Sequence, residues 1–444
     1  MSKSIEDLAA SITDAVAGRE VTSGPALDEW SVDGLSPQVC VEPHSAEEMA
    51  AVLKAADDAR AAVVPRGSGT KLALGNVPSD YRISVSTARL DKVLEYTPAD
   101  MTVSVQAGIT LAELQKILAQ ENQFLPLDPP YGETATIGGV LAANSSGPLR
   151  AAYGTARDLL IGIRVAHPDG LVTKAGGKVV KNVTGYDLNK LYTGSLGTLG
   201  VIVEANFKLQ PFPAVQRSVL AVMQPDAASN AVDALVDSVL MPSAVDLFDS
   251  RALSRLSPNA NGGRGLLVKF GGNAKAVDRQ IRDIRSICSE ATHIDVLSGE
   301  EQELVWNNAR ELQVAAAAAG AAVCKISVLS SEVPQVFDEV RPAADSAGLE
   351  AMVWGRAVNG ICHAAIYGAD SDPAAVRSAI ELLRSRLGGG SRSVVVESCP
   401  PAVKDGLDVW GDTVDPVALR IMKSIKQKFD PNYTLNPGRF VGGI

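Results

Sequence analysis

A chain of 444 residues, 46% hydrophobic and 21% charged, is long enough for two or three globular domains. A net charge of −10, a pI near 5.1 and the lack of any basic run argue against a nucleic-acid partner and favour a soluble cytoplasmic protein. Five scattered cysteines (40, 288, 324, 362, 399) form no CxxC or ferredoxin-type cluster, so they read as reduced core thiols and not as iron–sulfur ligands.

The N-terminal MSKSIEDLAASITDAVAG has no apolar central run and reads as an amphipathic helix, not a signal peptide. EEMAAVLKAADDA (47–59) has helical spacing, and AAVVP (61–65) then reads as a strand entering PRGSGTKLALGN (65–76), with three glycines in twelve residues. Residues 83–108 alternate β-branched and polar side chains, and Thr110 with Glu113 opens a helix in capping-box style. A glycine-rich region from Asp128 to Gly200 follows, broken by LLIGIRVAHPDGLVTKAG, whose Pro-Asp-Gly marks a hairpin.

After PFPA (211–214) the composition changes. Residues 218–400 alternate strands (SVLAVM, GLLVKFGG, SVVVE) with helices (AASNAVDALVDSVL, AVDRQIRDIRSICSE, PAAVRSAIELLRSRL), which predicts a separate α+β domain. The most apolar run, VAAAAAGAAVC (314–324), is too short to span a bilayer, so no transmembrane segment is expected. The tail forms a helix, VALRIMKSIKQKF, closing on DPNYTLNPGRF.

Glycine loops of this kind let backbone approach a phosphate. A P-loop is rejected because Lys71 is followed by Leu72, and a dinucleotide-fold fingerprint is rejected because position 72 is not glycine. What remains is three separated stretches, at 65–76, 136–147 and 194–202. They suit one extended ligand such as a dinucleotide, held by backbone N–H groups; the alternative is that each is a tight turn.

PRGSGTKLALGN, DPPYGETATIGGVLAANSSGPLRAAYGTARDLLIG and GGKVVKNVTGYDLNKLYTGSLGTLGVI together resemble the FAD-binding domain of the vanillyl-alcohol-oxidase family. More narrowly, with VESCPPAVKDGLDVWG and LNPGRF, the chain is similar to the FAD-binding E-type subunits of bacterial glycolate oxidases. The resemblance implies an α+β protein: a helical segment (1–34), a two-lobed PCMH-type FAD-binding domain (35–214), an α+β cap with an antiparallel sheet (215–400), and a tail (401–444) returning to the FAD domain.

By the family pattern, Arg66, Gly67, Ser68, Gly69, Thr70 and Lys71 line the FAD pyrophosphate, with Pro65 and Pro129 bordering the loops. Thr136, Ile137, Gly138, Gly139, Asn144 and Ser145 hold the pyrophosphate and ribityl region, and Gly147 closes that loop. Gly200 and Ile202 lie near the adenine, and Asn436 reaches back to the flavin. Thr70 stands in the region where some relatives carry a flavin-linked histidine, and no histidine occurs between 45 and 166, so FAD is expected to be noncovalent.

In the second domain, Trp306 and Arg310 are similar to the Trp-x-x-x-Arg helix whose arginine binds substrate carboxylate. The alternative is a solvated arginine on an amphipathic helix. RAVNGICHAAI (356–366) stands where related enzymes hold a metal-binding histidine motif; here Arg356 replaces the first histidine and only His363 remains, with Glu397. One imidazole and one carboxylate are too few for a tight site, so no metal is expected. His363 is the candidate base, or else a satisfied strand histidine; Arg356 and Lys325 add positive charge if both strands face the pocket.

The resemblance therefore implies an FAD-binding subunit that assists oxidation of glycolate or another short 2-hydroxy acid, beside a D-type flavoprotein subunit and an iron–sulfur subunit. Two alternatives stay open: a self-sufficient D-lactate or D-2-hydroxy-acid dehydrogenase using Arg310, His363 and Glu397 as its catalytic residues, and a non-catalytic structural flavoprotein subunit. A cytoplasmic location is expected, with contact to the inner membrane face only through such a complex.

Overall fold

A computed structural model describes residues 4–19, 21–24, 27–177, 186–257, 262–368, 372–412 and 414–444. The stretch KVVKNVTG (178–185), part of the resemblance above, lies outside the described residues.

The first lobe is a four-stranded sheet in the order Thr22–Ser23, Val39–Val41, Ile83–Ser86, Val63–Arg66, with its last three strands parallel. Such strands must be covered by a helix, and Ala46–Asp58 does this, capped by Ser45, whose hydroxyl accepts the Glu48 N–H at 3.0 Å. The N-terminal helix Ile5–Ala15 packs on it, burying Leu8 and Ile12 in the same core as Met49 and Leu53. The second lobe is a five-stranded antiparallel sheet, ordered Val93–Thr97, Thr102–Gln106, Val201–Lys208, Leu160–Ala166, Val172–Gly176. Its core face (Val103, Val105, Ile163, Phe207) is closed by helices Leu111–Ala119 and Ile137–Ala143.

Beyond Val215 the chain builds one eight-stranded antiparallel sheet. Its order is His293–Leu297, Val215–Met223, Arg264–Gly272, Ala244–Phe248, Glu350–Arg356, Ile361–Tyr367, Ala322–Ser327, Ser393–Ser398. Helices Pro225–Val236, Ala274–Ile287, Val333–Asp345 and Pro373–Leu387 cover one face, over Val245, Val268, Val353, Cys362 and Ala364. The helix expected over 227–240 stops at Val236, because the Ser238 hydroxyl donates back to the Leu235 carbonyl (2.7 Å) and accepts the Leu240 N–H (3.1 Å). The apolar run 314–324 divides at Gly320 (φ +80°) into the end of helix Gly299–Ala318 and the start of a strand.

The opposite sheet face carries the buried charged side chains. Helices Ser250–Leu256 and Gly299–Ala318 cover part of it, Trp306 of the second helix joining Phe248 and Trp354 of the sheet in one core. The two-residue alternation of the strands places Lys269, Asp246, Arg356, His363 and Lys325 on this same side, between neighbours that point into the helical core. The tail then returns to the first lobe: the fully buried Lys426 ammonium donates to Asp430 (2.7 Å), Thr198 O (2.9 Å) and Leu435 O (2.8 Å), and Lys404 donates to Asp33, Ala73 O and Gly75 O.

Candidate active site

Pro65–Lys71, with Leu72, Leu74, Thr136, Gly139, Ala142, Leu196, Asn436 and Arg439, lines an open cleft between the lobes. It adjoins a second hollow lined by Gly138, Gly197, Val201 and Ile202. All three glycine stretches and the tail thus meet at one place. The bare α-carbon of Gly67 abuts Thr136: an added Cβ would overlap the Thr136 hydroxyl, which caps helix Ile137–Ala143 by accepting the Gly139 N–H at 3.3 Å.

That helix does not offer a naked N-terminus. The Ile137 N–H donates to Ile109 O (3.0 Å), Gly138 N–H to Ala107 O (2.7 Å) and Val140 N–H to Thr136 O (2.9 Å). Ile137 is a core residue, and Gly138 is glycine because a Cβ would lie 2.8 Å from that of Ala107. The open backbone donors are in the first loop, where the N–H groups of Gly67 to Lys71 bond no acceptor among the described residues. Gly200 and Gly147 lie behind the cleft: Gly200 packs on Val165 and His167, and Gly147 on Asp128. Pro129 is buried in the extended stretch before Tyr131, and Ser145 is half-buried, its N–H donating to Val140 O. Asn436 donates to Leu196 O, and Arg439, which sequence reasoning passed over, braces Leu74 O at 2.8 Å.

Lys71 joins this cleft to the cap sheet. Its ammonium sits 3.0 Å from Glu397, both side chains mostly buried. Burial alone would raise the Glu397 pKa, but Lys71, His363 and Lys325 outweigh it and hold the carboxylate well below its usual range. His363 is paired across the strands with Lys325 on one side and Trp354 on the other, the latter ring stacked on it at 5.6 Å. Burial pushes its pKa down to about 3; Glu397 opposes this, while Arg356, Lys325 and Lys71 reinforce it. The imidazole is therefore neutral at physiological pH.

Arg310 stands apart from that group. It bonds Asn307 (2.8 Å) and its neighbour Glu311 (3.3 Å), and lies flat against Gly132. Glu311 in turn accepts the N–H groups of Tyr131 and Gly132, both at 3.0 Å. The charges acting on His363 are Glu397, Arg356, Lys325 and Lys71, whereas those acting on Asp128 are Arg356, Arg310 and Lys269. Arg356 belongs to both sets and ties them together. It also donates to Ser146 O at 2.6 Å, reaching the 144–147 loop. Asp128, Arg150, Asp246 and Lys269 were missed from sequence, although a lone charge in an apolar strand (AVDLF, GLLVKFGG) was a usable signal.

Residues 37–176 match the family described as FAD binding domain, and residues 213–386 and 408–440 match the C-terminal domain of FAD linked oxidases. The mitochondrial D-lactate dehydrogenase (cytochrome) of Arabidopsis thaliana is 30% identical over 91% of this chain and 73% of its own length. The chain belongs to the FAD-linked oxidase family. This FAD-linked oxidase is also similar to glycolate oxidase subunit GlcD of Bacillus subtilis, 28% identical over 96% of the chain and 93% of the relative. Among solved structures, p-cresol methylhydroxylase with substrate bound shares its fold with a TM-score of 0.76 at 16% identity, covering 98% of this chain and 96% of that one. Alkyldihydroxyacetonephosphate synthase aligns with a TM-score of 0.70 at 20% identity, over 90% of this chain and 76% of that one.

The FAD-linked oxidase is thus an α+β flavoprotein and an oxidoreductase with FAD as cofactor. The cleft fits the group: free N–H donors in the first loop and Lys71 beside them, with a buried Asn144 Oδ1 that has no protein partner just past the lining residue Ala143. Aligned backbone N–H groups give an acidic protein the local positive potential a diphosphate needs. When bound, FAD supplies a two-electron acceptor for hydride. No helix among the described residues is long and apolar enough to cross a membrane.

Proposed function

We propose that this flavoprotein oxidises a short 2-hydroxy acid on noncovalently held FAD. One observation carries the reading: Lys71 lines the dinucleotide cleft and pairs with Glu397 inside the cap cluster, so cofactor loop and acid-binding charges form a single site. Lys325 and Arg356 supply positive charge for the substrate carboxylate, and the neutral His363 adds an N–H donor. Glu397 stays ionised and balances Lys71 and Lys325. Arg310, held by Glu311 and Asn307, closes the opposite end of the site. Noncovalent attachment is supported by Thr70, which lines the cleft where a flavin-linked histidine would stand.

We further infer that the chain works as one subunit of a complex, beside a D-type flavoprotein subunit and an iron–sulfur subunit. The relative named glycolate oxidase subunit supports this reading. So do the five cysteines, each a buried thiol, which leave onward electron transfer to another protein. The test is an anaerobic absorption spectrum of the purified chain before and after glycolate or D-lactate. Bleaching of the flavin by either acid establishes catalysis by the chain alone. Bleaching only after the partner subunits are added establishes the complex. A flavin that stays oxidised in both cases refutes the substrate class, and a chain without flavin refutes the cofactor site.

A further inference from the structure

The cap sheet carries a buried pair, Asp246 and Arg356, of which the reading above uses only the arginine. Asp246 lies in strand Ala244–Phe248, directly opposite Arg356 in strand Glu350–Arg356. The two are 3% and 9% exposed. Asp246 Oδ1 and Arg356 Nε have no hydrogen-bond partner, although both are buried. A buried acceptor and a buried N–H donor left open side by side is costly unless a third group satisfies both. A molecule carrying a hydroxyl next to a carboxylate does so: the hydroxyl donates to the aspartate, and the carboxylate accepts from the guanidinium.

The surroundings set the character of this pair. Arg356 faces Asp246 across the strands, Asp128 comes from the loop after Leu127, and Cys362 from the next strand. Lys269 and Arg310 act on Asp128, and Arg356 in turn acts on Arg150, on the short helix packed against strand Ala244–Phe248. Burial, with Asp128 adding to it and Arg356 opposing, pushes the Asp246 carboxyl up to about 7. A group that titrates near working pH suits proton transfer. His363, surrounded by three cations, does not.

We propose that Asp246 is a further catalytic residue, accepting the substrate hydroxyl proton at Oδ1 while Arg356 Nε holds the substrate carboxylate. The inference rests on the 2-hydroxy-acid reading. With FAD bound as the two-electron acceptor, the O–H bond would break with its proton passing to Asp246, the Cα–H bond would break with its hydride passing to that acceptor, and the C–O single bond would become the carbonyl of a 2-oxo acid. Two electrons leave the substrate with the hydride, so atoms and charge balance. His363 and Lys325 then serve the carboxylate side.

The test uses holoprotein of the wild type, Asp246→Asn and His363→Asn, with oxalate as an unreactive dianion, read as a perturbation of the flavin spectrum under anaerobic conditions. Wild-type affinity for oxalate is expected to fall with rising pH above about 7, approaching tenfold per unit, as Asp246 ionises beside the dianion. D246N should bind oxalate with little pH dependence, whereas H363N should keep it. Flavin reduction by glycolate or D-lactate should drop by about 10² or more in D246N, with flavin content unchanged. Equal pH dependence in D246N and wild type, loss of it in H363N instead, or no oxalate binding by the wild type overturns the assignment. If wild-type flavin is never reduced by 2-hydroxy acids but the oxalate pattern holds, the substrate reading fails and the Asp246 site stands as an anion-linked proton site.

Discussion

Gly67→Ala tests the cleft most directly. Gly67 is not in the left-handed backbone region, so alanine is allowed there by its own dihedrals. The cost comes from overlap of the new methyl with the Thr136 hydroxyl. Thr136 is 5% exposed and caps helix Ile137–Ala143, so it cannot turn away without losing the cap, about 1 kcal/mol. The other escape is to separate the loop from the helix, opening the cleft that must close on the diphosphate. Together these should weaken FAD binding by about 2–3 kcal/mol, roughly 30- to 150-fold in Kd. Thr136→Ala alone should cost about 1 kcal/mol. It also removes the obstructing oxygen, so G67A/T136A should bind FAD almost as well as T136A. The assay is FAD titration of the apoprotein by fluorescence quenching, run as a double-mutant cycle. Additive losses would show that the loop and the helix cap do not touch, and the account of the cleft would fall.

The adjacent glycines should separate packing from binding. Gly138→Ala presses on Ala107 and should lower the thermal stability of the apoprotein, while Gly139→Ala, whose Cβ meets only the Thr136 hydroxyl at 3.1 Å, should leave apoprotein stability nearly intact and weaken FAD binding. Lys71→Met leaves Glu397 buried without its nearest cation and should cost about 2–4 kcal/mol by chemical denaturation; Glu397→Gln together with Lys71→Met should recover much of that loss. Lys426→Met strands the buried Asp430 carboxylate and frees the Thr198 and Leu435 carbonyls, so it should cost about 3–5 kcal/mol and loosen FAD, read by denaturation and flavin release. His363, with a folded pKa near 3 against about 6.5 unfolded, stabilises the protein above pH 6.5. That contribution is lost as pH falls from about 6.5 toward 3, and His363→Asn should flatten the stability profile there.

Much of this protein was legible in its sequence because the relevant signals are local. The glycine spacing of 65–76, the cap at Thr110, the Pro-Asp-Gly hairpin and the helix Pro373–Leu387 depend on backbone geometry and short-range periodicity. Glycines were visible as glycines, yet their reasons were not. Gly138 answers to Ala107 and Gly200 to Val165, contacts made across the fold that no spacing of residues shows. Likewise the N–H groups of Ile137 and Gly138 are taken by the carbonyls of Ile109 and Ala107, pairings that only the tertiary structure makes.

The charged site was decided almost wholly by tertiary structure. Asp128, Asp246, Arg356, His363 and Glu397 span some 270 positions, and each alone is an ordinary polar residue in a strand or loop. Alternation along a strand fixes which side a side chain takes, but strand order decides whose charge it meets. Strand Glu350–Arg356 inserts between Ala244–Phe248 and Ile361–Tyr367, and this alone brings Arg356 opposite Asp246 and beside His363. Burial then moves the carboxyl of Asp246 and the imidazole of His363 toward their neutral forms, an effect of dielectric surroundings that no spacing of letters carries.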